Sequence, residues 1–470
     1  MAFNSQIFLF LFIPVFYIIY FLLPVRLKNW VILIGSFIFY SWGEPTFVYA
    51  VLLSAFFDWI LSKFIYKEQN LNIKNIYFCI SLILNIGLLF YFKYFDFFID
   101  NVNSFLVFIG FQPLGVLKIA LPLGVSFITF EKITYVVDVY KKKEKPSESL
   151  LNYLTYVFLF PKLIAGPIIK YHDIEKQIES RNTTMDDVYE GFFRFSKGLF
   201  KKVLIADTMA NVVNPIFSLS AVNLGFFDAW LGVLCFSIQI YFDFSGYSDM
   251  AIGLLRIMGF RIMENFNLPY ISKNFTEFWR RWHISLSTFI KEYLYIPLGG
   301  NRCSLFRQYF NLVFCFLISG LWHGASWNFV LWGIYHGYFL VLDKALGIKS
   351  GAKRFIPSWG QTMLTFVLIL ISWAIFRSQS INQVMDFVRA MIMPDFSIFS
   401  SSYYFSRDVV FFLILGLFIS FFPASALYAQ LREKFDKHFY IKFAFLSALM
   451  FISIGKISVS DFTTFIYFRF

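Results

Sequence analysis

Apolar residues in this chain come in long unbroken runs, not in alternation or in one-sided stripes. Residues 7–23, IFLFLFIPVFYIIYFLL, contain no charge. Similar runs stand near 30–41, 46–61, 77–92, 149–160, 226–240, 309–321, 327–342, 362–376, 408–422 and 440–454. A helix needs roughly 20 residues to cross a ~30 Å hydrocarbon core, and about 17 with tilt or thinning. Several runs are shorter than that. The pattern therefore predicts an all-α polytopic membrane protein with about ten to twelve spans, some of them re-entrant or broken. Barrel strands are excluded, because the runs do not alternate and are too long. The first run has no Lys or Arg before it and no small-residue cleavage site after it, so it reads as a retained helix rather than a signal peptide.

Two stretches depart from this pattern. Residues 170–202 are the longest polar segment, with Phe192, Phe193, Phe195 and Leu199 at helical spacing among Arg194, Lys197, Lys201 and Lys202. This predicts helices lying at the cytoplasmic interface. The basic cluster there is read first as positive-inside anchoring. A docking patch for an anionic ligand, such as the phosphates of coenzyme A, is the alternative. Residues 241–302 are too polar for a simple span and too aromatic for a loop. They hold Asp243, Asp249, Arg256, Glu277, Arg280, Arg281, His283, Lys291 and Glu292. Charges at membrane depth usually face a cavity or each other. Internal ion pairs holding a non-helical or re-entrant section are therefore expected, in particular for Asp243, Asp249, Arg280 and Arg281. No internal repeat or linker is evident, and the chain reads as a single membrane domain over 1–470.

Composition agrees with this and narrows the class. Only 15% of residues are charged, against about a quarter in soluble domains. The net charge of +12 does not point to nucleic acid, because the basic residues lie in short loops between runs. Arg26 and Lys28 form one such loop, Lys63, Lys67 and Lys74 a second, and Lys141, Lys142, Lys143 and Lys145 a third. The turn Gly43-Glu44-Pro45 has no Lys or Arg. By the positive-inside rule the N-terminus is outside and these three loops are cytoplasmic. Cys79, Cys235, Cys303 and Cys315 show neither metal nor redox spacing.

Chemistry is then a matter of five histidines. His323 lies between two apolar runs with Gly320 and Gly324 beside it, which permit a helix break or the close approach of a substrate. A buried imidazole is neutral, and a neutral imidazole is the usual general base for a hydroxyl. The alternative is a core histidine bonded to a carbonyl. His336, thirteen residues on, would be about 220° round a continuous helix and reads as structural. His172 and His438 lie among charges and read as solvated. No HExxH or Cys/His set suggests a metal, and neither a GxSxG elbow nor a P-loop is present. An enzyme of this kind would use a histidine base without an obvious protein nucleophile.

Certain motifs add a resemblance. WHG at 322–324, preceded by FWRRWHISLSTFIKEYLYIPLGGNR at 278–302, resembles the membrane-bound O-acyltransferase superfamily, most closely the branch of the membrane subunit of bacterial alginate O-acetylation. FYSWGEP at 39–45, FPKLIAGPIIKYHDI at 160–174, GLFKKVLIAD at 198–207 and YFDFSGYSDMAIG at 241–253 agree. The motif-bearing core is about 120–345. The resemblance implies a ring of membrane helices around a central tunnel, in the bacterial inner membrane. It implies His323 and His283 as catalytic residues, and acetyl-CoA as a cytoplasmic acyl donor, with no metal. The expected acceptor is an extracytoplasmic polysaccharide, reached with the help of a separate periplasmic acetyltransferase. Membrane lipids surround the chain, and no nucleic acid partner is implied. Trp322, Asn328, Tyr241, Asp243 and Ser245 are the candidate substrate contacts. Trp327 and Trp332 are candidate pocket wall, and Lys201 and Lys202 are candidates for the donor's phosphates. The competing readings are a polar-solute transporter with a histidine proton relay, and an acyltransferase acting on a different acyl group or acceptor.

Overall fold

The computed structural model describes residues 1–348, 356–393, 406–459 and 465–466. Every regular element among the described residues is helical. Within a bilayer that is the arrangement in which a lone segment satisfies its own backbone polar groups. The chain divides into two compact units. One comprises Met1–Gly191 with Ala251–Met263, the other Phe192–Met250 with Glu264–Phe470.

The first unit contains α1 (Ile13–Leu22), α2 (Lys28–Ser41), α3 (Phe47–Lys67), α4 (Leu71–Leu89), α5 (Phe95–Phe108), α6 (Val125–Tyr140), α7 (Leu150–Phe158), α8 (Phe160–Leu163) and α9 (Tyr171–Glu179), with the start of α10 (Met185–Phe200). Its interior combines aromatic packing with paired charge. Phe160 sits against Phe12 and Phe16 at 5.4 and 5.1 Å. Lys132 lies 3.1 Å from Asp58, which also accepts from Ser81 and Asn85. Glu131 pairs with Lys162 and accepts the Ile169 N–H at 3.3 Å. All four ionic side chains are buried.

The second unit contains α11 (Asp207–Ile216), most of α12 (Phe226–Ile257), α13 (Phe275–Arg281), α14 (Ile284–Phe289), α15 (Leu305–His323), α16 (Trp327–Ala345), α17 (Ser358–Arg377), α18 (Ile381–Ile392), α19 (Arg407–Phe421), α20 (Ala426–Lys437) and α21 (Phe439–Val459). Helices α15 and α16 form a hairpin whose spacing is set by glycine. A Cβ on Gly320 would stand 2.1 Å from the Phe329 carbonyl oxygen, and one on Gly333 would stand 2.3 Å from that of Phe316. Only hydrogen fits at either position.

Seven helical stretches among the described residues are long and apolar enough to span a membrane: Phe47–Lys67, Leu71–Phe108, Phe226–Ile257, Leu305–His323, Ser358–Arg377, Arg407–Ala424 and Phe439–Val459. The chain is thus a multi-pass, all-helical membrane protein with fewer full-length spans than the runs suggested. Four runs account for the difference. Phe8–Leu22 is a shorter apolar helix, and 30–41 falls in the 14-residue α2. Run 149–160 breaks at Leu159, where backbone angles of −51° and 98° end α7 and begin α8. Run 327–342 lies in α16, long enough at 19 residues but diluted by Asn328, His336 and two glycines.

The segment 241–302 also differs from expectation. Tyr241 to Ile257 is regular helix, the C-terminal half of α12. Irregular backbone starts at Met258 and runs to the short helices α13 and α14. The polar residues of α12 are tolerated in a helix because basic side chains of the same unit reach them.

Candidate functional site

The expected site residues all fall in the second unit. His323 is the last residue of α15, and Gly324 leaves the helix with extended backbone. The buried ring is flanked edge-on by Trp322 at 4.9 Å, Trp332 at 5.1 Å and Phe376 at 5.2 Å. The tight space beside Gly320 and Gly324 is filled by the α16 backbone and the Phe329 ring. Of the two uses the sequence allows, the helix break occurs, at Gly324, and the close approach at these glycines is made by a neighbouring helix.

His283 sits between α13 and α14 with φ +42°, in the left-handed region. A non-glycine residue there carries roughly 1–3 kcal/mol of backbone strain, a feature that clusters at functional sites. The ring is fully buried. Phe244 meets it edge-on at 4.6 Å, and Trp322 lies 5.9 Å away. Trp322 thus contacts both candidate histidines. Burial pushes the His283 pKa down to about 3, which keeps the imidazole neutral at working pH. The Nδ1 atom stands 3.2 Å from Asn265 Oδ1.

His336 is brought into the same neighbourhood. Its placement on the far side of a continuous helix does not hold, because the chain reverses between α15 and α16. Trp332 touches His323 and, at 4.5 Å, His336. His336 Nδ1 accepts the Trp279 Nε1–H at 3.2 Å.

The other expected contacts divide. Asn328 is buried, donates to the Ser378 carbonyl at 2.7 Å and accepts from the Ser326 hydroxyl. These three residues, with Phe329, Arg377, Gln379 and Ile466, line a cavity of about 380 Å³. Phe329 links it to the imidazole, because its ring lies 5.0 Å from that of Phe376, itself packed on His323. Tyr241 is buried against Trp282 and Tyr270. Trp327 is exposed and is not one of the residues that line this cavity.

Asp243 and Asp249 form the internal pairs expected of them. Asp243 lies 2.8 Å from Lys202 and accepts the Ile466 N–H. Asp249 is held by Arg194 at 2.5 Å and Lys201 at 2.8 Å. Arg281 pairs with Glu277, one turn back on α13, whereas Arg280 is exposed. Lys202 is buried and also pairs with Asp207 at 2.6 Å. That turns it inward, away from the basic patch that 194–202 suggested. Lys201 is less deeply placed and reaches Ser245 Oγ at 3.3 Å.

Outside this region, His172 and His438 are exposed as expected. His172 has an ion-pair partner that its sequence neighbours do not reveal, Asp138 at 3.1 Å. The sequence reading also missed Phe244, Asn265 and Phe376. Phe244 lies inside the YFDFSGYSD motif, where only its polar neighbours carry a chemical signal in the sequence.

Comparison with known proteins gives consistent matches. The family model described as MBOAT, membrane-bound O-acyltransferase family, matches residues 141–385. A probable alginate O-acetylase of Pseudomonas aeruginosa is 43% identical over 83% of this chain and 75% of its own length. A peptidoglycan O-acetyltransferase of Helicobacter pylori is 36% identical over 83% of this chain and 80% of its own. A teichoic acid D-alanyltransferase of Bacillus subtilis is 27% identical over 54% of this chain and 67% of its own.

Proposed function

The chain belongs to the membrane-bound O-acyltransferase family, and from that premise we propose that it transfers acetyl from cytoplasmic acetyl-CoA towards the hydroxyls of an extracytoplasmic polysaccharide. As an O-acyltransferase in the membrane it acts on an activated acyl group. The finer reading places it in a bacterial inner membrane, working with a periplasmic acetyltransferase. The observation that carries it is the contact of two buried imidazoles with one indole, Trp322, and a cavity lined largely by polar residues two ring contacts from His323, through Phe329 and Phe376. Helices around a tunnel that admits both substrates complete this picture, with the whole chain acting as one domain around the core at about 120–345.

A thioester is already activated, so the protein's task is to position an alcohol and manage one proton. In the proposed step His323 removes the hydroxyl proton as the oxygen attacks the acetyl carbonyl carbon. The carbon–sulfur bond then breaks, and the imidazolium returns the proton to the departing thiolate. General-base assistance of this kind contributes about 10²–10⁴-fold, and fixed geometry much of the remainder. His283 is the second catalytic residue, with its ring 5.9 Å from that of Trp322. Trp322 and Asn328 shape the surroundings, with Tyr241 behind Trp282. For Asp243 and Ser245 the ion-pair network around Lys202 and Lys201 favours a supporting role. Lys201 is the better placed of the two lysines for the donor's phosphates.

The names of the relatives favour acetyl over D-alanyl, since identity is higher to the two acetylases. They leave alginate-like polymers and peptidoglycan as acceptors for the experiment to separate. Membranes containing the chain, supplied with labelled acetyl-CoA, should place label in a polysaccharide fraction. A folded His323→Ala variant should not. Normal acetylation by that variant overturns the reading, as does solute flux without any acetyl donor.

A further inference from the structure

His283 is held by a residue from outside its own turn. Asn265 belongs to the irregular segment before α13, and its backbone carbonyl accepts the Ile284 N–H at 3.0 Å. Its side-chain Oδ1 accepts the Ser285 N–H at 3.2 Å and the Ser285 hydroxyl at 2.9 Å. A backbone N–H can only donate, so this atom is an acceptor. The amide's other end donates to the Ser248 hydroxyl at 3.3 Å, consistent with the same orientation. His283 Nδ1 faces that acceptor oxygen at 3.2 Å. A hydrogen bond there requires the proton on Nδ1, and a neutral imidazole then has its lone pair on Nε2. His336 shows the opposite case. Its Nδ1 accepts from the Trp279 indole, which can only donate, so its proton is on Nε2.

We propose that Asn265 is a positioning residue that fixes His283 as the Nδ1–H tautomer, so that Nε2 is kept as the ring's acceptor and can orient a donor group of the substrate, while His323 takes the proton of the attacking hydroxyl. The inference rests on His283 being catalytic. The groups described against its ring are Phe244, Trp322, Asn265 and Ser285, none of them charged. Nothing among them favours the imidazolium, and protonation of Nε2 would abolish the acceptor. Asn265 suits this task better than a carboxylate would. It supplies the same oxygen without a charge that would draw a second proton onto the ring.

The test uses the full chain in bilayers with ¹⁵N-labelled histidine. There are five histidines, and the signal lost in His283→Gln identifies the one in question. Wild type should show His283 as Nδ1–H. Asn265→Leu should show mixed or Nε2–H forms, with acetyl transfer from labelled acetyl-CoA reduced tenfold or more. An Nε2–H form in wild type, or an unchanged tautomer in Asn265→Leu, overturns the proposal. Asn265→Asp provides an independent readout. It retains the oxygen and adds a negative charge beside Nδ1, so the acid limb of the rate should move up by about one pH unit or more. An unmoved limb in an active variant also overturns the proposal. Full activity of His283→Gln would instead defeat the catalytic reading of His283, while the tautomer measurement would still stand.

Discussion

Asp58 and Glu131, buried in the first unit, each have a lysine beside them, whereas the imidazoles of the second unit are surrounded by rings. Both arrangements put polar groups out of water, but they respond differently to change. A buried carboxylate–ammonium pair is stable only as a pair, and removing one partner strands the other in a poor solvent. A neutral imidazole needs no counter-charge. Its place in the packing therefore does not depend on a charged partner. The first pattern fastens helices together. The second leaves a group able to do chemistry. The Asp243–Lys202 and Asp249–Arg194 pairs of the second unit follow the first pattern, and so separate support from reaction within a single unit.

This contrast can be tested by substitution. The largest effect is expected at His323. His323→Gln preserves much of the volume and removes the base, so acetyl transfer should fall by about 10²–10⁴-fold while the thermal unfolding midpoint in detergent hardly moves. A large drop in that midpoint would place His323 with the structural groups. The reverse pattern is expected for Lys162→Met. Stranding Glu131 should lower stability by about 3–5 kcal/mol, with activity lost only in proportion to unfolded protein. The double variant Lys162→Met with Glu131→Leu should recover most of the midpoint, and failure to recover would show that the pair does more than neutralise itself. Gly320→Ala comes next. Its Cβ would lie 2.1 Å from the Phe329 oxygen, and relief of such overpacking typically costs about 1–3 kcal/mol. Midpoint and activity should fall together, because the α15–α16 hairpin carries His323.

The smallest effect concerns His172. The hydrogen bond to Asp138, the first cause, with the nearby charge of Asp173, raises its pKa above the usual 6.5. The folded form therefore holds the proton more tightly than the unfolded one. This contribution is complete below the unfolded value and is lost as pH rises through the folded value. His172→Gln should flatten the stability–pH curve in that window. An unchanged slope would mean the Asp138 contact has no energetic role.

The helical, membrane-spanning character was legible because apolar runs of this length have few other uses. The candidacy of His323 and His283 was legible from motif residues. The internal pairing of Asp243 and Asp249 follows from the cost of isolated charge at depth, although the spacing of their partners Lys202 and Arg194 points to an interfacial patch. What could not be read was anything fixed by chain reversal. The helix-wheel angle between His323 and His336 does not apply, because the helix ends at His323 and the chain reverses before α16. Asn265 lies 18 residues before His283, in a stretch with no period, so no spacing rule joins them. Gly320 was recognised as permissive, but sequence cannot tell whether the vacant volume is taken by a substrate or by a neighbouring backbone.

The α15–α16 hairpin also bears on how such a molecule diversifies. Its width is dictated by hydrogen atoms at Gly320 and Gly333, so the distance between the WHG turn and Phe329 has almost no tolerance. Gln379, which lines the same cavity beyond the end of α17, is exposed and is under no such packing restriction. On the proposed function, substitutions at Gln379 would change which acceptor the cavity takes without moving His323.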